Sequence, residues 1–305
     1  IRRKNDHPAE VAGRVFAQTI YGKESPWARE PTLAGIRSIQ REDLVAFHQR
    51  YFAPNNTVLA VVGDLSVEEM AQRVRRWLGD WESRKVEIPP VPPVRPAVPP
   101  EVILVPKEVS QVNVRIGHLG LPRLGPDHYS VQVMNYILGA GGFGSRLMRE
   151  VRTNRGLAYA VWGYLGEGRD RGLFEMGAET GVETAAQGIQ VMRETLAGLL
   201  SGPISPAELA SAKDALLNSF VFAFQSRFQI ASRQARFDVL GYPPDYLQTY
   251  VSRIAAVTPE AVQRAAQAHL HMDQLVVVAV GPRAPLEKAL AQFGTVRVVP
   301  LAQAE

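Results

Sequence analysis

The sequence predicts an α+β fold made of two duplicated halves, each a mostly antiparallel mixed sheet packed against helices, with the first half truncated. Three observations predict it. Strand-like segments come in clusters with helices between the clusters, which is the pattern of α+β chains rather than of alternating βαβ units. A proline-rich connector divides the chain, with seven prolines among the twelve residues Pro89 to Pro100. Lastly, one helix–loop–strand–helix unit occurs twice: Thr258 to Gly281 lies over Gln40 to Gly63 at a constant offset of 218 residues, without a gap.

In the first copy QREDLVAFHQRYF reads as a helix, TVLAVVG as an apolar strand closed by Gly63, and SVEEMAQRVRRWLG as a further helix. The prolines that follow cannot pair in a sheet or continue a helix. Residues 85–100 are therefore expected to be an extended connector, of which Pro89 to Pro100 alone could span roughly 35 to 40 Å at about 3.1 Å per residue. By the offset, a partner domain as long as the second would start about 120 residues upstream of Ile1. On that arithmetic residues 1–84 are the last part of a first domain and residues 101–305 a complete second one.

Within the second domain Glu101 to Val105 and Gln111 to Gly117 are strand-like, the latter by the alternation of QVNVRIG. DHYSVQVMNYIL places Val131, Met134 and Leu138 on one helical face, and Ser145 to Asn154 is a short helix. Tyr159 to Leu165 and Leu173 to Gly177, joined by GEGRDRG, form a hairpin. Ser205 and Thr258 stand where their side-chain oxygens accept the unpaired amides of the helices that follow, and PLEKALAQFG repeats the last helix of the first copy.

Composition removes several functional classes. With 305 residues and 46% apolar content the chain is globular. It has no apolar run long enough for a membrane span and no signal-peptide pattern in its first thirty residues. The 34 basic and 30 acidic residues are well mixed, so the net charge of +4 describes a solvated surface and not a nucleic-acid stripe. The absence of cysteine excludes disulfides, thiol nucleophiles and cysteine-ligated metal.

One string carries more information than any other: ILGAGGFGSRLMREVRTNRGLAY, residues 137–159. Gly139, Gly141 and Gly144 have the G-x-G-x-x-G spacing of a dinucleotide loop. Such a loop needs a buried strand before its first glycine and an acid about twenty residues on. Here the preceding segment has helical periodicity and Tyr159 occupies the acid's place, so the nucleotide reading fails. A loop in front of a helix N-terminus remains, made of Gly139, Gly141, Gly142 and Gly144, whose amides would favour a carboxylate or carbonyl oxygen. Beyond it Arg149, Arg152 and Arg155 crowd the helix end, Gly156 stops it, and Tyr159 opens the next strand. Cations at a helix C-terminus and an edge-strand tyrosine explain these by spacing alone. The other reading is a guanidinium and a phenol aimed at one oxygen.

The string resembles the second-domain signature of the pitrilysin/insulinase family of zinc metallopeptidases: glycine-rich loop, SRL helix, then R-G-L-x-Y. GHLGLPRLGPDHYSVQVMNYIL, the SPAEL helix, both repeat copies and the opening DHPAEVAGRVFAQTIYG are similar to the family as well, so the likeness runs along nearly the whole chain. The resemblance implies two similar α+β halves closing around a peptide. The first holds zinc through His-x-x-Glu-His and a later glutamate. The second, without zinc, holds substrate, and an arginine and a tyrosine seven residues apart donate to the scissile carbonyl. Arg152 and Tyr159 have that spacing; Arg149 and Arg155 do not.

None of the six histidines sits in His-x-x-Glu-His. HPAEV at His7 has Val11 in the fifth position and reads as a helix start, and His269 with His271, though able to share a strand face, lacks a third ligand nearby. The expectation is a chain that binds no zinc itself, with zinc in the upstream half or in a zinc-bearing paralogous subunit. It is then the substrate-binding portion of a zinc endopeptidase acting on peptides or small unfolded proteins, inactive alone. The alternative is an inactive family member serving as a recognition or scaffold subunit, in a homo- or heterodimer. The resemblance implies the bacterial periplasm or cell envelope rather than the cytoplasm.

Overall fold

The apolar run VVVAVG that ends the second repeat copy is buried at every position, which requires cover on both faces of its sheet. A computed structural model, describing residues 3–95, 98–222 and 224–301, shows how that cover is built. Of the proline-rich stretch, Pro96 and Ala97 lie outside the described residues. The strands are β1 (Glu101–Pro106), β2 (Gln111–Leu119), β3 (Leu121–Pro122), β4 (Ala158–Leu165), β5 (Glu167–Gly168), β6 (Leu173–Gly181), β7 (Val276–Gly281) and β8 (Val296–Val298). Six of them form one sheet in the order β4-β6-β2-β7-β1-β8, and β3 and β5 pair separately. β1 runs parallel to β7 and β8, while β2/β6, β2/β7 and β4/β6 are antiparallel. The mixed, mostly antiparallel sheet expected of the second half is the one found.

The helix Pro8–Tyr21 forms because Pro8 fits the first helical turn and Val11, Ala12, Phe16 and Ile20 make one apolar stripe. That stripe is fully buried against Ile103 and Val105 of β1, Leu119 of β2, and Val276, Val278 and Val280 of β7. Each large side chain so buried contributes about 1.5–3 kcal/mol. Helices Ala185–Ser201 and Arg283–Leu290 also pack on this sheet. The helices Pro206–Phe222 and Pro259–His269 carry the expected caps: the Ser205 and Glu208 side chains each accept the other's backbone amide, and Thr258 Oγ1 accepts from the Ala261 amide.

Contacts divide the chain otherwise than the chain-order boundaries at 84 and 101 do. One unit holds the sheet with the segments up to Pro31, Pro92–Leu216 and from Ser252 onward; the other holds Thr32–Val91 and Leu217–Val251. The reason is the apolar stripe of Pro8–Tyr21, whose cover is the six-stranded sheet. In the other unit, the capping boxes of Gln40/Asp43 and Ser66/Glu69 start the helices Arg41–Tyr51 and Val67–Leu78. The segment Thr57–Val62 departs from expectation. Its repeat counterpart β7 lies between β1 and β2, but here no described strand pairs with it, and a strand without a neighbour is not stable in water. Val58, Leu59, Val61 and Val62 stay exposed, and with Ile230 and Ala231 of the helix Arg227–Val239 they line a groove of about 450 Å³.

A buried histidine adds to the acid sensitivity of the sheet unit. His118 on β2 is 2% exposed; its Nδ1–H donates to the Leu119 carbonyl, and its Nε2 accepts from the His271 amide. Both bonds suit the neutral ring. Burial, helped by His271 and Arg171 and opposed by the Leu119 carbonyl and Asp273, holds its pKa down at about 4. The unfolded ring takes up its proton near pH 6.5, so the stability His118 contributes is complete above that value. It should be lost as pH falls toward 4, by about 3 kcal/mol in all. Urea midpoints at pH 7 and pH 4.5 should differ more in the wild type than in His118→Gln; equal differences would discount this histidine.

Candidate functional site

The glycine string is reached from a helix, as its periodicity requires. His128–Asn135 continues into a π-turn, Tyr136–Ala140, and no strand leads into Gly139. The structure sorts the four loop glycines into two pairs. Gly139 is buried, and a Cβ there would overlap the backbone of Gly163 on β4; a Cβ on Gly141 would overlap Tyr136. These two serve close packing. Gly142, in the left-handed region at φ 56°, and Gly144 face open space, with Phe143 between them 73% exposed. The loop is thus a short 3₁₀ turn, Gly142–Gly144, ended by buried Ser145, whose Oγ donates to the Gly142 carbonyl at 2.7 Å.

Leu147 and Val151, fully buried, fix the helix that follows, and its last stretch, Met148–Thr153, is again a π-turn. π-turns of this kind are frequent at functional sites. Gly156, at φ 64°, ends it: its amide bonds to the Arg152 carbonyl, and the Leu157 amide reaches back to Val151. The Leu157 carbonyl is then held by the Thr180 hydroxyl at 2.6 Å. One residue later β4 bulges, its register against β6 jumping between Ala158 and Ala160. Tyr159 is the extra residue and stands 68% exposed. A bulge is a means of re-aiming one side chain.

The arginines expected by position prove different by partner. Arg146 makes a two-point pair with Glu208 at 2.7 and 2.9 Å, which holds that carboxyl down at about pKa 2. Arg149 and Arg155 share Glu150, at 3.2 and 2.7 Å, and Arg155 does most to hold the Glu150 pKa below the usual carboxylate range. Arg152, half-buried, has no carboxylate partner among the described residues. Its guanidinium instead lies over two aromatic rings, 5.2 Å from the centre of Phe143 and 5.5 Å from that of Tyr159. Nη1 reaches back one turn to the Met148 sulfur at 4.0 Å. Chemically, this is a charged donor that no acid neutralises, beside a phenol, at the exposed end of an edge strand.

Phe143 is the member of this group that sequence reasoning passed over. Its signal was a large apolar residue among glycines, where no core could receive it. The histidines assemble nothing comparable. His7 precedes the first turn of Pro8–Tyr21, and Val11 is buried in the core. His269 and His271 share no strand: His269 ends the helix Pro259–His269 and pairs with Asp127 at 2.8 Å, whereas His271 rests against His118. Among the described residues no three His, Asp or Glu side chains are placed to hold a metal ion, and no helix is long and apolar enough to cross a membrane. A zinc ion therefore does not fit the donor set described.

Residues 38–216 match the sequence profile described as the peptidase M16 inactive domain. Among curated proteins, an uncharacterized zinc protease, YmxG of Bacillus subtilis, is 26% identical over 92% of this chain and 68% of its own length. A protein of Helicobacter pylori described as a non-peptidase homolog is 24% identical over 87% of this chain and 60% of its own. Among solved structures, a peptidase M16 inactive domain from Pseudomonas fluorescens superposes with a TM-score of 0.80 at 28% identity, covering 92% of this chain and 66% of that one. The chain thus spans about two-thirds of the length of these relatives.

Proposed function

Since the chain belongs to the peptidase M16 family, the pitrilysin/insulinase type of its motifs, and carries that family's inactive domain, we propose that it is the substrate-holding portion of a zinc endopeptidase. In this reading Arg152 and Tyr159 donate hydrogen bonds to the carbonyl oxygen of the bond to be cut, and the zinc is held outside this chain. Residues 1–84 are read as the end of the catalytic-type domain and 101–305 as the second domain. One observation carries the assignment to Arg152: among the arginines of its helix it is the one no carboxylate has claimed.

The chemistry follows from what each group is. A guanidinium stays protonated at every working pH, so its N–H donors are always available to an oxygen. As charge develops on a carbonyl oxygen, a fixed positive donor gains more from the transition state than from the ground state, which is the condition for catalysis. The Tyr159 phenol supplies a second, neutral donor. Its place on a bulge pinned by the Thr180–Leu157 bond limits the reorganisation that donation would cost.

The test is complementation. This chain alone should neither retain zinc on dialysis nor cleave a quenched peptide, and adding the zinc-bearing half or partner subunit should produce cleavage. Cleavage by this chain alone, or none with any zinc-bearing half, would overturn the proposal. The second reading, a non-catalytic recognition subunit, is favoured by the Helicobacter pylori relative described as a non-peptidase homolog. It predicts peptide binding without turnover in the complete protein.

A further inference from the structure

Glu150 has drawn in two arginines from the same helix end, one on either side of Arg152 in sequence. What keeps the third from the same fate, or from waving in solvent? We propose that Phe143 is a positioning residue for Arg152, and that with Tyr159 it holds the guanidinium by ring faces, so that the charge is fixed in place without being neutralised. This rests on the reading of Arg152 as a carbonyl donor.

Three observations support the assignment. The guanidinium carbon lies within cation–π reach of both rings. A planar guanidinium stacks on an aromatic face while its in-plane N–H groups remain free, whereas a carboxylate partner would occupy them. Phe143 also has no packing role to explain it. It is 73% exposed on a turn flanked by Gly142 and Gly144, yet the turn is anchored, with Ser145 buried and the Ser145 amide and hydroxyl both donating to the Gly142 carbonyl. A large apolar side chain kept in water on an anchored turn, over a cation, is arranged for that cation.

The experiment separates a ring from mere bulk. In the complete zinc-bearing enzyme, Phe143→Leu should lower kcat about two- to fivefold, the range of an exposed cation–π contact, with KM nearly unchanged. Phe143→Tyr should restore the rate. A second readout is independent of catalysis: in this chain labelled with ¹⁵N-arginine, the Arg152 Hε resonance should carry a ring-current shift that Phe143→Leu reduces and Phe143→Tyr keeps. Wild-type turnover in Phe143→Leu where Arg152→Ala is impaired would overturn the positioning role. An Arg152 Hε that does not move in Phe143→Leu would overturn the contact itself. If Arg152→Ala turns over normally, the donor reading fails and the catalytic role of Phe143 with it, while the resonance still decides whether the rings hold the cation.

Discussion

On the proposed function, Arg152→Ala in the complete protein is expected to lower kcat for a quenched peptide by roughly ten- to a thousandfold, with zinc content unchanged. The size follows from removing one charged donor to a developing oxyanion, an effect realised in the transition state and hence seen in kcat more than in KM. Tyr159→Phe keeps the ring beside Arg152 and removes only the hydroxyl, so its loss should be smaller and should report the phenol alone. The controls are built into the same helix. Arg149→Ala and Arg155→Ala each break a pair with Glu150 and leave Arg152 untouched, so neither should change kcat by more than about twofold, as exposed ion pairs contribute little. Equal losses in all three arginine variants would mean that net positive charge, and not one placed donor, is what matters.

The second large effect concerns the fold. Phe16→Ala should destabilise the sheet unit by about 3–5 kcal/mol, the cost of a lost aromatic and the cavity it leaves. Urea unfolding followed by circular dichroism would measure it, with Phe47→Ala as the comparison. Phe47 is 57% exposed on the helix Arg41–Tyr51, and its removal should cost less than about 0.5 kcal/mol. Chain order alone places residue 16 before the connector, with the first half. A result near zero for Phe16→Ala would mean that the helix Pro8–Tyr21 is dispensable to the β1/β7/β2 core on which it lies.

These two residues also mark how far the sequence could be read. Secondary structure was legible wherever pattern and partner were both local. QVNVRIG alternates as a strand, Ser205 and Thr258 cap their helices, and Gly156 ends one, because each signal acts within a few residues. Non-local facts were not. The stripe on Pro8–Tyr21 announces that something covers it, but only the fold says that β1, β2 and β7 do. The apolar run Thr57–Val62 has every strand propensity, and propensity is not a neighbour. At the site, spacing singled out Arg152 and Tyr159 from their surroundings, but it could not reveal that Glu150 occupies the two competing arginines. Nor could it show that Phe143 lies under the guanidinium.

The bulge on β4 bears on how this protein can evolve. Strand residues alternate between faces, and on β4 the alternation changes phase at the bulge: Ala158 is buried on one side of it, and Val161, Gly163 and Leu165 on the other. One extra codon is what reconciles the two phases. A single-codon deletion at this point would force a choice between keeping Val161, Gly163 and Leu165 inward and keeping Leu157 under the Thr180 hydroxyl. A substitution of Tyr159, by contrast, changes one side chain in place. Lineages that discard the tyrosine should therefore do so by exchange and not by deletion, leaving the number of residues between Arg152 and Val161 unchanged.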